Sequence, residues 1–169
     1  MFSVRSGRMP HITQIAAKEV TSGSEFSTYV LPKEPISDGA HQTTGISVSE
    51  GVMSMNGAVV QKASIQCAVD NLLKWLRKYE KVVIVAHNGR KFDFPILVTS
   101  ISNVNKLEDF FTCVIDCIDT LSLFRKTFTN RVSFKQEDLA RDILCLQYNA
   151  HDAVEDVHTL VKIFQHSCS

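Results

Sequence analysis

Carboxylates are missing from the start of this chain: the first acidic residue is Glu19. Also missing is any apolar window of membrane-spanning length, so no stretch reads as a transmembrane helix. The basic opening, Met1-Phe2-Ser3-Val4-Arg5-Ser6-Gly7-Arg8, is not followed by a long apolar core and does not read as a secretory signal. Cysteine is sparse and odd in number: Cys67, Cys113, Cys117, Cys145 and Cys168 lack the dense spacing of a disulfide scaffold. Cys113-x-x-x-Cys117 has no second Cys/His pair close by, which argues against zinc. Reduced thiols in a cytoplasmic or nuclear protein are the expectation. Neither charge dominates, with 18 basic and 18 acidic residues, so any footprint for nucleic acid must be local. No internal repeat or low-complexity tract occurs.

What remains is a chain of 169 residues, enough for one domain with a substantial core. Residues 12–20 read as a strand, Thr21 to Ser24 as a turn, and residues 25–31 as a second strand, together an antiparallel hairpin. Pro32 and Pro35 end it, since proline donates nothing to a ladder. Residues 33–62 read as a long turn-rich connection. Ile65, Val69, Leu72, Leu73 and Leu76 fall on one face of a helix capped by Ser64. Val82 to Ala86 is an unbroken, β-branched run that suits a strand buried on both faces. A further strand is expected within Thr112 to Asp119, with helices near residues 121–126 and 136–146. A last helix starts near Asp152 and buries Val157, Leu160, Val161 and Phe164. The order of elements points to a mixed three-layer α/β fold.

Two clusters carry chemistry. After Val82–Ala86 the turn His87-Asn88-Gly89 leads to Asp93, at the start of a helix that Pro95 tolerates only in its first turn. Ligands in α/β folds bind at such carboxyl ends of strands, although Asp93 also has the position of a simple N-cap. The second cluster, His151-Asp152-Ala153-Val154-Glu155-Asp156, opens the last helix, where the helix dipole favours acids with or without a function.

Taken together, His87-Asn88-x-x-x-Phe92-Asp93 and His151-x-Ala153-x-x-Asp156 resemble the DEDDh family of 3′-to-5′ exonucleases, which have a ribonuclease H-like fold. The likeness extends to Ile12–Ala17, Phe26–Pro32, Thr44-Gly45-Ile46, Asp119-Thr120-Leu121 and the stretch from Ser133 to Ala140. These last segments are also similar to the exonuclease-like C-terminal domain of the promyelocytic leukaemia protein and its relatives. The resemblance implies Mg²⁺ or Mn²⁺ held by Asp93 and Asp156, with His151 as general base. It implies substrate contact at Asn88, Gly45 and Ile46, and a single-stranded or 3′-end nucleic acid as partner. Such chemistry needs clustered oxygen ligands for hard ions and a base that titrates near neutrality. Arg90, Lys91, Arg125, Lys126, Arg131 and Lys135 are candidates for phosphate contact, and Asp152 and Glu155 are expected to cap or to face water.

The family's first motif, an Asp-x-Glu on the first and central strand, has no counterpart in residues 1–10. The expectation is an atypical segment there, followed by an exonuclease-like domain over residues 11–169. The first central strand is then truncated or absent, and the hairpin pairs imperfectly with Val82–Ala86. Two of the four metal-binding acids are lacking, which implies impaired hydrolysis or a catalytically dead module that binds nucleic acid or protein.

Overall fold

The computed structural model describes residues 2–3, 11–148 and 150–167. Val4, the segment Arg5 to Pro10 and Cys168, all singled out from the sequence, lie outside the described residues. The hairpin forms as expected. β3 (Gln14–Lys18) pairs antiparallel with β4 (Glu25–Val30), Ala17 lying opposite Phe26. Its turn is closed by the Glu19 carboxylate, which accepts from the backbone N–H groups of Thr21 and Ser22. The first strand is shorter than residues 12–20 suggested, because it breaks at Thr13. The piece before it, β2 (His11–Ile12), pairs with a two-residue strand, β1 (Phe2–Ser3).

Residues 33–62 are not the irregular connection that their glycines suggested. They contain α1 (Asp38–Thr44) and a three-stranded antiparallel meander of β5 (Ile46–Ser49), β6 (Val52–Met55) and β7 (Ala58–Val59). Both of its turns are two-residue turns with positive φ throughout: Glu50 (49°) with Gly51 (76°), and Asn56 (50°) with Gly57 (81°). That is the type I′ geometry whose twist matches a hairpin. The short β8 (Lys62–Ala63) then adds to β4 in parallel.

α2 (Ile65–Leu76) begins where Ser64 accepts from the Cys67 N–H at 3.2 Å, and its predicted face is buried at Val69, Leu72, Leu73 and Leu76. β9 (Val82–Ala86) is followed by α3 (Asp93–Ser102), and β10 (Val114–Asp119) pairs parallel to β9. Between them lies α4 (Leu107–Cys113), a helix with no sequence expectation behind it. α5 (Thr120–Thr127), α6 (Gln136–Leu144) and α7 (Ala153–Ser167) complete the chain. The fold is α/β and ribonuclease H-like, with helices on both sides of the strands. α2, α3 and α4 form one side around Leu73, Ile101 and Phe110; α5, α6 and α7 form the other around Phe124, Leu139 and Ile163.

The sheet itself is divided. Among the described residues β9 pairs only with β10, and β3 only with β4. The hairpin therefore does not pair even imperfectly with Val82–Ala86; a cleft of about 1120 Å³ separates them. This explains two departures from the sequence reading. Val83, expected in a strand buried on both faces, is 41% exposed. The stripe Val157, Leu160, Val161 and Phe164 of α7 is only half-buried and lines the cleft, while Thr159 and Ile163 are the fully buried residues of that helix.

Leu73, 2% exposed at the centre of the α2 layer, tests how far this layer holds the two parts together. Leu73→Ala is expected to cost about 2–5 kcal/mol, read as a lower midpoint in urea unfolding.

Candidate active site

The turn after β9 is fixed from three directions. His87 is half-buried, its Nε2–H donating to the Phe134 carbonyl at 2.7 Å and its Nδ1 lying 3.0 Å from the Thr120 hydroxyl. Its ring stacks on Phe124 with centroids 5.7 Å apart. Burial holds its pKa below the usual value of 6.5, so the imidazole stays neutral. Asn88 takes a left-handed conformation (φ 55°), its carbonyl accepting from Lys91 and Phe92. Gly89 is needed because a Cβ there would sit 2.7 Å from the Phe94 ring. Asp119, 8% exposed at the end of β10, accepts from the backbone N–H of Arg90 at 3.1 Å and of Leu121 at 2.9 Å.

These contacts place Asp93 on the wall of the cleft. Asp93 is not an N-cap: the cap position is Phe92, without a side-chain bond, and Asp93 is the first helical residue. Burial raises its pKa above the ordinary value, and the charges of Asp156 and Asp119 add to the rise. Asp156 is likewise raised by burial, partly offset by hydrogen bonds from the Tyr148 hydroxyl and the His151 backbone N–H. Gln136 supports this arrangement, its side-chain amide donating to Tyr148 Oη at 3.2 Å and to the Asp156 carbonyl at 2.7 Å. Burial and the nearby Asp156 charge push the Tyr148 phenol well above its ordinary pKa, which keeps it a donor.

Of the residues named from the sequence, Asn88, Asp93, His151 and Asp156 all line the cleft. His151 is held at φ 76°, and its exposed imidazole lies 3.5 Å from Glu137 rather than deep among the acids. Gly45 and Ile46 are placed elsewhere, at the junction of α1 and β5. Gly45 caps α1 at φ 70°, where a Cβ would collide with the Asn56 side chain, and Ile46 is fully buried. Asp152 caps α7, accepting from Val154 N–H at 2.9 Å, and Glu155 is exposed, as expected. Among the candidate basic residues, Arg131 is taken up by Asp142 and by the carbonyls of Ser133 and Asp138. Arg90, Lys91, Arg125, Lys126 and Lys135 remain exposed, and Arg125 and Lys135 border the cleft. Gln136 and Tyr148 carry no sequence signal of their own; only their place beside the last motif could have drawn attention to them.

Hard divalent ions want oxygen ligands in number. The described residues offer Asp93 and Asp156, and among them no group of three His, Cys, Asp or Glu side chains is placed to hold a metal. This donor set does not fit the pair of ions and four acids that the resemblance implies. No helix among the described residues is long and apolar enough to cross a membrane.

The family model described as Exonuclease matches residues 1–164. Three prime repair exonuclease 2 of Mus musculus is 30% identical over 150 residues, which covers 81% of this chain and 59% of that protein. Its counterpart from Homo sapiens is 30% identical over 149 residues, with the same shares. The chain thus spans about three-fifths of the length of these relatives.

Two titrations follow, of opposite sign. An unfolded His87 accepts a proton near 6.5, which the buried ring resists. Its contribution to stability is therefore present above that pH and lost as the pH falls. His87→Gln should destabilise the protein by about 1–3 kcal/mol at neutral pH and flatten the acid loss, read from urea midpoints between about pH 7 and pH 5. A raised Asp93 contributes fully below 3.8 and loses that contribution as the pH rises through its folded value. Asp93→Asn is thus expected to raise the melting temperature at neutral pH, with the gain shrinking on acidification.

Proposed function

Because this chain belongs to the exonuclease family, we infer that its cleft engages the 3′ end of a DNA or RNA strand and hydrolyses the terminal phosphodiester at an impaired rate. The observation that carries this reading is the convergence of Asp93 and Asp156, from α3 and α7, beside His151 at one end of the cleft. In hydrolysis, water adds to phosphorus and the bond to the 3′ oxygen of the shortened strand breaks, releasing a nucleoside 5′-monophosphate. His151 is the group suited to take the water's proton, the general-base role that imidazoles most often fill. To do so it turns from Glu137 toward the acids. Asn88, on the cleft wall, has a donor and an acceptor for the terminal nucleotide. Gly45 and Ile46 belong to this reading only if a longer strand reaches past α1. Arg125 and Lys135 flank the cleft where phosphates leave it.

Divalent metal, when bound, would supply charge to offset the phosphate and acidify water. Asp93 and Asp156 are the acids that would hold Mg²⁺ or Mn²⁺, as a single ion rather than the pair that this donor set does not fit. Residues 1–10 fall within the span matched by the family model but contain no acid to stand for the first motif. That shortage supports a second reading, a module that binds nucleic acid without cutting it.

End-labelled single-stranded DNA and RNA, incubated with the chain and Mn²⁺, separate the two. Slow stepwise shortening that Asp156→Asn reduces to background supports hydrolysis. Retained binding by well-folded protein with no shortening supports the second reading. Absence of both sinks each. Binding through the exposed lysines and arginines should weaken steeply between low and physiological salt.

A further inference from the structure

The helix that carries Asp156 is held at its first turn by two side-chain amides. The N–H groups of Ala153, Val154 and Glu155 have no carbonyl within α7 to bond, as at the start of any α-helix. Asp152 takes two of them, accepting from Val154 at 2.9 Å and from Glu155 at 3.4 Å. The third bond leaves the helix. Ala153 N–H donates to Oε1 of Gln14 at 3.3 Å, across 139 positions of the chain. Gln14 opens β3 and is only 2% exposed. On the same turn of α7 the Asp156 carbonyl accepts from Nε2 of Gln136 at 2.7 Å, and that nitrogen also donates to the Tyr148 hydroxyl at 3.2 Å. Gln136 is the first residue of α6.

The partners decide which end of each amide is used. A backbone N–H only donates, so Gln14 meets α7 with its oxygen; a carbonyl only accepts, so Gln136 meets it with its nitrogen. One glutamine is an acceptor and the other a donor, and neither adds charge beside Asp93 and Asp156. They also come from different parts of the fold. Gln14 belongs to the hairpin, and Gln136 to the layer built around Phe124, Leu139 and Ile163. A second polar link between hairpin and α7, from His158 to Glu25 at 2.8 Å, is exposed and screened by water. The buried Gln14 bond is the better placed to set how the first turn of α7 meets β3. Asp156 lies on that turn and His151 just before it, so a shift of the turn moves both relative to Asp93.

We propose that Gln14 and Gln136 are positioning residues for the hydrolytic site, an acceptor and a donor that set the first turn of α7 and thereby place Asp156 and His151 relative to Asp93. Both act through those residues rather than on the strand. The effect on rate rests on the hydrolytic reading; the two bonds can be tested without it.

One substitution made at two positions gives the test, because glutamate keeps the acceptor of glutamine and lacks its donor. Gln14→Met is expected to lower kcat in the strand-shortening assay at least about ten-fold, since displacing a reacting group by an ångström costs on the order of a hundred-fold. Gln14→Glu should restore most of that loss, a carboxyl oxygen being an acceptor favoured at a helix start. At the other position Gln136→Met and Gln136→Glu should both lower kcat at least about ten-fold, with KM for the strand within about two-fold of native in every variant. Equal behaviour of glutamate at the two positions, native kcat in either methionine variant, or losses carried by KM alone would overturn the proposal. Hydrogen exchange reads the bonds apart from activity. The Ala153 amide and the Gln136 side-chain amide should exchange slowly in the unaltered chain, and Gln14→Met should speed Ala153 at least about ten-fold. Exchange of either group at the rate of a free amide in the unaltered chain overturns its half of the proposal, whether or not any variant folds. An unaltered chain that shortens no strand defeats the hydrolytic reading instead, and exchange alone then decides whether the two amides set α7.

Discussion

Apolar contact with α2 takes the place of a continuous ladder in this fold. Side chains of the α2 layer touch Ile15, Ala17 and Phe26 from one half of the sheet and Val82 and Ile84 from the other. Among the described residues no backbone pairing joins those halves. Burial of apolar surface is non-directional, so it brings β3 and β9 onto the same helix without setting the spacing of neighbouring strands. Trp75 adds a directed link, its indole N–H donating to the Ser24 hydroxyl at 3.1 Å while its ring meets Phe26 at a tilt and Tyr79 edge-on. The cleft follows from that division of labour. Two half-sheets share a floor and a roof, and among the described residues no backbone pairing fixes their separation.

The candidate site depends on the same arrangement. Asp93 and Asp156 come from helices on opposite sides of the strands, and each is raised by burial, with neighbouring acids adding to the rise at Asp93. Carboxylates held in this way carry a cost that a cation or a phosphate-bearing ligand with its own counter-ions would relieve. The rigid part of the site is its turn. His87, Gly89 and Asp119 tie β9, β10, α5 and the loop at Phe134 into one unit with directed bonds. The acids are therefore positioned by local hydrogen bonds even where the sheet around them is divided.

Much of this was legible in the sequence because the signals were local. Ser64 before an amphipathic run, Pro95 in a first turn and the β-branched run Val82–Ala86 each specify an element within a few residues. The two motifs then identify the acids. Asn56-Gly57, one of the strongest short hairpin signals, was present and was lost among the other glycines of residues 33–62. α4 was hidden because Leu107 to Cys113 blends into the apolar residues of β10 without a capping side chain. The exposure of Val83 and of the α7 stripe could not be read from either segment, since it depends on a neighbour that is not in them. Tyr148 and Gln136 were invisible for a similar reason. Their role is to bond Asp156 across the chain, and neither belongs to a spaced pattern.

His151 has a consequence of another kind. Its backbone is held at φ 76°, a region that costs a non-glycine residue free energy and persists only where surroundings enforce it. Part of that enforcement is the hydrogen bond from its N–H to the Asp156 carboxylate, and such a bond is stronger to the charged acid than to the neutral one. The backbone that carries the imidazole is thereby tied to the side chain of its partner acid.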